Sequence, residues 1–443
     1  MDTKASLVGE RLRNSFWFTP ALMLAGTTVL AFLTVAIDDN ADPEKVAWLK
    51  PIVYSGGPDG AREVLGVIAA SMIGVAGVVF SITIVSLQLA SGQFGPRMLA
   101  NFVRDRGNQV TLGTFISAFL YSLLTLRTLR SDDPTSVPHL SVTVALAFAI
   151  AGLSVLVYYI HHVAVTIQAP TLIETITRDL RKAVDALFPD LDGVDEATEA
   201  HGHELPDGFH DDARRIWSGS TGYVDLIDLD RLVATAREHD LVLLLEQRPG
   251  RFVVPNSTVV HAWPSNRVSD DLADDIADLV ITGPKRTVVQ DVEFPIRQLV
   301  EIAVRSLSPG LNDPFTASTC VDQLSAGLCD LAQRRFPSPH IADEAGVLRV
   351  VIGDPVTWPR LVGGAFDQVR QTAKFHAQVY LHLLEALTRI AYCVEDERRL
   401  QPLLDEGRLV LEGARENLPA ESDQDVVKER HAVLLAAVES RRA

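Results

Sequence analysis

Apolar residues are concentrated in the first third of the chain, where they form four long runs. The runs cover residues 15–37, 64–90, 110–126 and 140–167. A helix needs roughly 17–25 residues to cross a bilayer, and a helix satisfies all of its backbone hydrogen bonds within the segment. The pattern therefore predicts four transmembrane α-helices, which together form a transmembrane domain over residues 1–168.

The rest of the chain has the shorter apolar spacing of a domain in water. An amphipathic helix and a polar linker are expected at 169–212, a small α+β module at 213–289 and a mainly helical region at 290–443. Continuous apolar runs such as Leu241–Glu246 indicate buried strands, and apolar positions at helical spacing indicate the later helices. The predicted fold class is a membrane protein with four transmembrane α-helices, followed by an α+β cytoplasmic domain with a helical C-terminal part.

Charge separates the same two parts of the chain. Residues 1–168 carry equal numbers of basic and acidic side chains, so the formal net charge of −17 falls on the remainder. This acidity excludes nucleic acid as a partner, because binding to phosphates of nucleic acid requires a cationic surface. Lys and Arg are more frequent at the span ends on the side of the N-terminus, which predicts that both termini lie in the cytoplasm. Three cysteines without a CxxC motif fit a reducing compartment.

The second apolar run carries a stripe of small or weakly polar residues at helical spacing. The stripe consists of Gly66, Ala70, Gly74, Gly77, Ser81 and Gln88. Small residues let helix backbones approach closely in lipid. Two interpretations remain open: the stripe packs helices, within or between chains, or it lines a water-filled path. A weaker polar stripe on the third run would face the same path; it consists of Thr114, Ala118, Tyr121 and Thr125. Neither stripe contains a charge, which argues against active transport.

A group of turn-forming residues follows the second run and predicts an elbow where the chain leaves the membrane. The group consists of Gly92, Gly95, Pro96 and Arg97. Glycine and the Gly-Pro pair are expected to end the helix at the cytoplasmic surface. The elbow is either a plain membrane-surface turn or part of a gate.

Residues 290–317 form the sharpest local pattern of the polar part. An amphipathic helix over 294–307 ends at Ser308-Pro309-Gly310, and the next helix is expected to begin with Asp313 as N-cap and Pro314 in the first position. The polar candidates of this cytoplasmic elbow are Arg297, Glu301, Asn312 and Asp313. They are either structural residues of a helix–turn–helix or ligands of a cation or polar molecule. No motif for a nucleotide or for catalytic zinc is present, so no cofactor or metal is expected.

Two stretches of the sequence resemble a known family. They are residues 85–97, which read VSLQLASGQFGPR, and residues 290–317, which include LSPGLNDPFTA at 307–317. Together they resemble the bacterial predicted membrane proteins grouped as domain-of-unknown-function family 2254. Pro295 departs from the pattern of that family, where glycine is expected. The resemblance implies a bacterial cytoplasmic membrane location and a cytoplasmic domain, but no reaction.

The leading hypothesis is a homo-oligomeric, channel-like protein for passive permeation. Its acidic cytoplasmic domain would form a vestibule that concentrates cations. The alternative is a membrane-anchored sensor or scaffold whose cytoplasmic domain binds a ligand or partner, and an enzyme is a distant third hypothesis. The expected partners are the lipid bilayer, further copies of the chain and a cation, and no catalytic residue is assigned.

Overall fold

The protein is described by a computed structural model for residues 16–40, 53–95, 105–129, 137–166, 168–189 and 204–442. The chain divides into two compact units, Met1–Thr171 and Leu172–Ala443. Each unit has its own packed interior and is described by itself.

The described residues of the first unit form four long helices, as the sequence predicts. They are α1 (Phe18–Asn40), α2 (Pro58–Phe94), α3 (Arg106–Leu126) and α4 (His139–Thr166). Each contains a segment long and apolar enough to cross a membrane. The helix α2 has 37 residues, or about 55 Å at 1.5 Å per residue, and so exceeds the roughly 30 Å hydrocarbon core of a bilayer.

The helix α3 lies in the middle of this bundle and packs against α1, α2 and α4. It is the least apolar of the four helices and the one that its neighbours bury most completely. Its Tyr121 hydroxyl lies 2.7 Å from the Thr34 hydroxyl of α1. The central position keeps the polar groups of α3 away from lipid, where an unsatisfied polar group is costly.

Polar contacts at the helix ends fix the bundle further. The carboxylate of Asp38 accepts hydrogen bonds at 2.9 Å from the backbone N–H groups of Leu140 and Ser141, and so caps the start of α4. The Asp105 carboxylate caps α3 and lies 2.8 Å from Nε2 of His162 on α4. Each carboxylate therefore ties one helix end to another.

The second unit combines short strands with helices. Its first element is the part of α5 (Ala169–Leu187) from Leu172 onward. The next elements are α6 (Phe209–Asp212), β1 (Arg214–Trp217), β2 (Gly222–Ile227), α7 (Leu229–Glu238), β3 (Val242–Leu245), β4 (Phe252–Val253), β5 (Thr258–Trp263), α8 (Asp270–Asp278) and β6 (Val280–Gly283). The later elements are α9 (Glu293–Ser306), α10 (Pro314–Ala332), β7 (His340–Ala342), β8 (Leu348–Ile352), α11 (Trp358–Ala373), α12 (Ala377–Cys393), α13 (Leu400–Asn417) and α14 (Glu421–Arg442). This arrangement confirms the predicted α+β domain with a helical C-terminal part.

The strands form two sheets. One has the order β1-β5-β3-β8-β7 and the other the order β4-β2-β6. The pair β3–β8 is parallel, with Leu243 opposite Val350, whereas the other pairs of the described strands are antiparallel. The carboxyl ends of β3 and β8 therefore reach the same edge of the larger sheet, and this edge positions the charged groups described below.

The helical part is built around α12, which packs against α10, α13 and α14. One face of α12, including Val379, Leu383 and Leu387, is completely buried. The helix α10 also contacts α5, because Gly327 lies directly against the Leu180 side chain. The apolar residues Leu172, Ile176 and Leu180 of α5 are buried along one face of this amphipathic helix.

Candidate functional site

The small-residue stripe lies on the side of α2 that the described part of its own chain leaves uncovered. Residues that α2 buries, such as Leu65 and Val79, lie roughly opposite the stripe at 3.6 residues per turn. The stripe is exposed from Ala70 through Gln88 and partly exposed at Gly66. A Cβ atom added at Gly66, Gly74 or Gly77 would meet no described atom within 4 Å. The stripe therefore does not pack against the described part of its own chain.

The weaker stripe on the third span lies in a different environment. Thr114, Ala118, Tyr121 and Thr125 are buried inside the bundle. The two stripes therefore do not face a common path within one chain, and the prediction that they would do so is wrong. Three other hydroxyl groups along α3 are buried and lack a hydrogen-bond partner among the described residues; they belong to Thr111, Ser117 and Ser122.

The membrane-exit elbow begins later than predicted. Gly92 lies within α2, which continues to Phe94, so the prediction that Gly92 ends the helix is wrong. Gly95, the glycine of the Gly-Pro pair that is also expected to end the helix, is its C-cap; it has a positive φ of 103°, and its N–H donates to the Ser91 carbonyl at 3.2 Å. A single glycine costs a helix only about 1 kcal/mol and keeps its backbone N–H, so the helical hydrogen bonds continue through Gly92. Pro96 and Arg97 lie outside the described residues.

Asp313 of the cytoplasmic elbow is the N-cap of α10. Its carboxylate accepts hydrogen bonds at 3.1 Å from the backbone N–H groups of Phe315 and Thr316, and at 2.6 Å from the Thr316 hydroxyl. The Thr316 hydrogen bond is the main cause that lowers the pKa of Asp313. Asn312 supplies the preceding turn with a positive φ of 49°. The sequence pattern predicts this cap.

The structure does not gather the four elbow candidates at one place. Arg297 and Glu301 lie on α9, and the distance from Arg297 to the end of that helix at Ser306 is about 14 Å at the usual rise. Asn312 and Asp313 follow beyond this end. Arg297 therefore belongs to a different group of side chains from the α10 cap.

Arg297 joins a group of charged residues that sequence reasoning did not bring together. We call this group the arginine cluster; it consists of Arg248, Arg251, Arg286, Arg297, Arg360, Asp291, Glu293 and Asp354. Five guanidinium groups meet three carboxylates, so the cluster has a formal charge of +2 within a chain of net charge −17.

The inner part of the arginine cluster is buried. Nη2 of Arg248 lies 2.9 Å from the Glu293 carboxylate, and its Nε lies 3.0 Å from the Asp354 carboxylate. Arg286 forms a two-pronged pair with Asp291. Burial raises the pKa of Asp291, because the charged form is poorly solvated there. The buried charges are tolerated because each carboxylate contacts at least one guanidinium.

The outer part of the cluster is a rim of three arginines. Arg251 and Arg360 contact opposite oxygens of Asp354 at 2.8 and 2.7 Å, and Arg297 lies 3.5 Å from Glu293. The Arg251 and Arg297 side chains are 49% and 55% exposed. The pKa of Asp354 would be raised by burial, but hydrogen bonds from Arg251 and Arg248 lower it to about 2. The rim therefore presents cationic groups to solvent.

The fold places the cluster at the shared edge of β3 and β8. Arg248 follows β3 and Asp354 follows β8, and the two strands are parallel. The helices α9 and α11 begin at the same place, so Glu293 and Arg360 lie in their first turns. Gly250 has a positive φ of 83°, and a Cβ atom there would collide with the Asp291–Arg286 pair.

The available sequence signal for the cluster was weak. Arg248-Pro249-Gly250-Arg251 is a turn between two strands, and Glu293 belongs to the long motif that begins at Gln290. Asp354 is more than 100 residues away from Arg248 and meets it through the sheet order. Among the described residues, no group of three or more His, Cys, Asp or Glu side chains could hold a metal ion.

These observations define a membrane protein with four candidate spans and a mixed helical and sheet domain. Residues 13–389 match the model of the family described as predicted membrane protein DUF2254, and the chain belongs to this family. It is 32% identical to the uncharacterized protein Mb1321c of Mycobacterium bovis and to the uncharacterized protein Rv1290c of Mycobacterium tuberculosis. Each of these two alignments covers 96% of this chain and 81% of the relative. No solved structure matches the chain significantly.

Proposed function

We propose that the chain assembles through the stripe on α2 into a homo-oligomer with a channel-like path for passive permeation in the cytoplasmic membrane. The observation that carries this proposal is the exposure of Gly66, Gly74 and Gly77 on the uncovered side of a long span. Small residues at such a position permit close contact with a second helix in lipid. Copies of α2 arranged around a symmetry axis would contact one another through the side that carries the stripe.

Two further features support a path rather than close packing alone. Ser81 and Gln88 are exposed on the same side of α2, and polar groups of this kind are costly against lipid but not against water. No charged residue occurs in α2 beyond Glu63, which suits passive permeation. The chain's net charge of −17 favours a cation as the permeant species.

The mass of the particle tests the assembly. The full-length chain in nanodiscs is expected to contain four or more copies by native mass spectrometry, and Ala70→Leu is expected to shift the mass to smaller particles. Ala151→Leu is the matched control, because Ala151 is an exposed alanine of the fourth span. A wild-type particle with one copy, or equal masses for wild type and Ala70→Leu, would contradict the proposal.

Conductance tests the path. Wild-type protein in planar bilayers is expected to conduct cations under voltage, tension or a change of pH, and Gly77→Leu is expected to abolish this conductance. Ala151→Leu is expected to conduct as the wild type does. Oligomers that never conduct would restrict the role of the stripe to packing.

The second candidate function is a membrane-anchored sensor or scaffold with a ligand-binding cytoplasmic domain. The arginine cluster favours it, because the cluster offers half-exposed cationic groups within the unit Leu172–Ala443. In this case the particle contains one or two copies, and ligand binding leaves conductance unchanged.

A further inference from the structure

We infer that the arginine cluster binds a phosphate group. The inference is independent of whether the spans conduct, because every member of the cluster lies in the unit Leu172–Ala443. It rests on three observations: the charge of the cluster, the exposure of its rim and its place in the fold.

The first observation is an excess of positive charge that the chain does not neutralise within the cluster. Five arginines share three carboxylates, and both Asp354 and Glu293 are already contacted by more than one guanidinium. Burial and then the positive charge of Arg286 lower the pKa of Arg297, although this effect is opposed by the nearby carboxylates. A dianion would balance the formal charge of +2, and a phosphate monoester carries about −1.5 to −2 at pH 7.

The second observation is the arrangement of the rim. Arg251, Arg297 and Arg360 are linked through Asp354 and Glu293, and Arg251 and Arg297 remain about half exposed. Guanidinium groups donate paired hydrogen bonds that match the oxygens of phosphate. The contact of Arg297 with Glu293 is long, at 3.5 Å, whereas Arg251 and Arg360 contact Asp354 at 2.8 and 2.7 Å.

The third observation is the position of the cluster at the carboxyl ends of two parallel strands. Because these two strands are neighbours and run in the same direction, the residues that follow them meet at one end of the sheet. The helices α9 and α11 start here, so the positive ends of their dipoles lie at this edge. Helix starts and arginines together favour an anion over a cation, so the cluster differs from the cation site considered for the elbow.

The experiment is a titration of the full-length protein in phosphatidylcholine nanodiscs with inorganic phosphate and pyrophosphate at constant ionic strength. Calorimetry is expected to show saturable binding, and Arg297→Gln and Arg251→Gln are each expected to weaken it about tenfold or more, as the loss of a charge-assisted hydrogen bond predicts. Arg408→Gln is the matched control, because Arg408 is also exposed and paired with a carboxylate four residues away. Its affinity is expected to stay within about twofold of wild type.

A thermal scan distinguishes binding from a purely structural role. Without phosphate, Arg297→Gln is expected to unfold at the wild-type temperature or slightly above it, because one of the excess charges is removed. With phosphate, the wild type is expected to gain stability and Arg297→Gln to gain little. Absence of saturable binding, or equal weakening by Arg297→Gln and Arg408→Gln, would overturn the inference.

A second titration, with an anionic lipid in the nanodiscs, distinguishes two sources of the phosphate group: a lipid headgroup and a soluble ligand. The pyrophosphate titration is repeated in nanodiscs that contain phosphatidic acid. If phosphatidic acid weakens pyrophosphate binding to the wild type but not to Arg297→Gln, the natural phosphate group is that of a lipid headgroup. If phosphatidic acid leaves the pyrophosphate affinity of the wild type unchanged, the natural ligand is soluble. In both cases the arginine cluster binds a phosphate group, as inferred.

Discussion

The Asp313 carboxylate is a clear case of a single side chain that fixes the start of a helix. Replacement by alanine removes the acceptor for the N–H groups of Phe315 and Thr316, and a lost N-cap costs about 1 kcal/mol. Hydrogen exchange at these two amides is expected to become about fivefold faster, which corresponds to this energy. Asp313→Asn is the control and is expected to retain most of the protection, because asparagine also caps helices well.

The same variant decides between the two interpretations of the elbow. If Asp313→Ala leaves amide exchange unchanged but removes binding of a cation, the residue is a ligand and not a cap.

Glu406 predicts a pH dependence of stability. Burial raises its pKa to about 7, and its salt bridge with Arg370 opposes this effect only in part. The folded protein therefore holds the proton more tightly than the unfolded chain does, so the stability contributed by this group is present below about pH 4.5 and is lost as the pH rises to about 7. The loss is on the order of 3 kcal/mol.

The measurement is the unfolding temperature of wild type and Glu406→Gln between pH 5 and pH 8. The unfolding temperature of Glu406→Gln is expected to rise relative to that of the wild type as the pH rises, because the amide of glutamine does not ionise. Glu412→Gln, a half-exposed carboxylate on the same helix α13, is expected to follow the wild type. If the unfolding temperatures of wild type and Glu406→Gln change with pH in parallel, the protonation of Glu406 does not contribute to the pH dependence of stability.

At the scale of elements, helices were predictable where one apolar face repeats for several turns. The periodicity predicts a helix over Trp358–Ala373, and the structure has α11 at these residues. Asp228 and the following apolar residues likewise predict α7 and its cap. Local spacing is sufficient in these cases because a helix is formed by contacts between near neighbours.

Short elements that depend on distant partners were not predictable in the same way. The strand β1 begins with Arg214 and Arg215, and it is held in place by pairing with β5. The helix α8 begins with several aspartates and buries only three residues. Their local patterns resemble a polar linker, and only the neighbouring strands provide the apolar surface that orders them.

The candidate sites show the same limit. The sequence reveals the small residues of α2, but the side that faces away from the bundle depends on where α3 packs. The arginine cluster depends on the parallel pairing of β3 with β8, which brings Asp354 to Arg248. Sequence spacing identifies residues that lie on one helix or strand. The arginine cluster instead combines residues from several elements at one end of the sheet, and the stripe on α2 is defined by the absence of a described helix packed against it.

At the scale of the whole molecule, charge and hydropathy agree on two environments for the two units. The first unit has helices long enough to span a membrane, and the excess acidic residues occur in the second. Acidic residues contribute little to membrane topology, so the net charge of the polar unit does not itself decide on which side of the membrane the unit lies. The bias of Lys and Arg toward the ends on the N-terminal side then predicts a cytoplasmic location for the polar unit.

Thiol labelling tests this orientation in intact cells. In a chain with Cys320, Cys329 and Cys393 replaced by alanine, Gly57→Cys is expected to react with a membrane-impermeant maleimide before lysis, because it lies just before the second span on the expected outer side. Arg398→Cys, at an almost fully exposed position of the polar unit, is expected to react only after the membrane is permeabilised. Labelling of Arg398→Cys but not Gly57→Cys in intact cells would invert the topology. It would also move the arginine cluster away from cytoplasmic phosphate compounds, so the orientation decides which ligands can reach it.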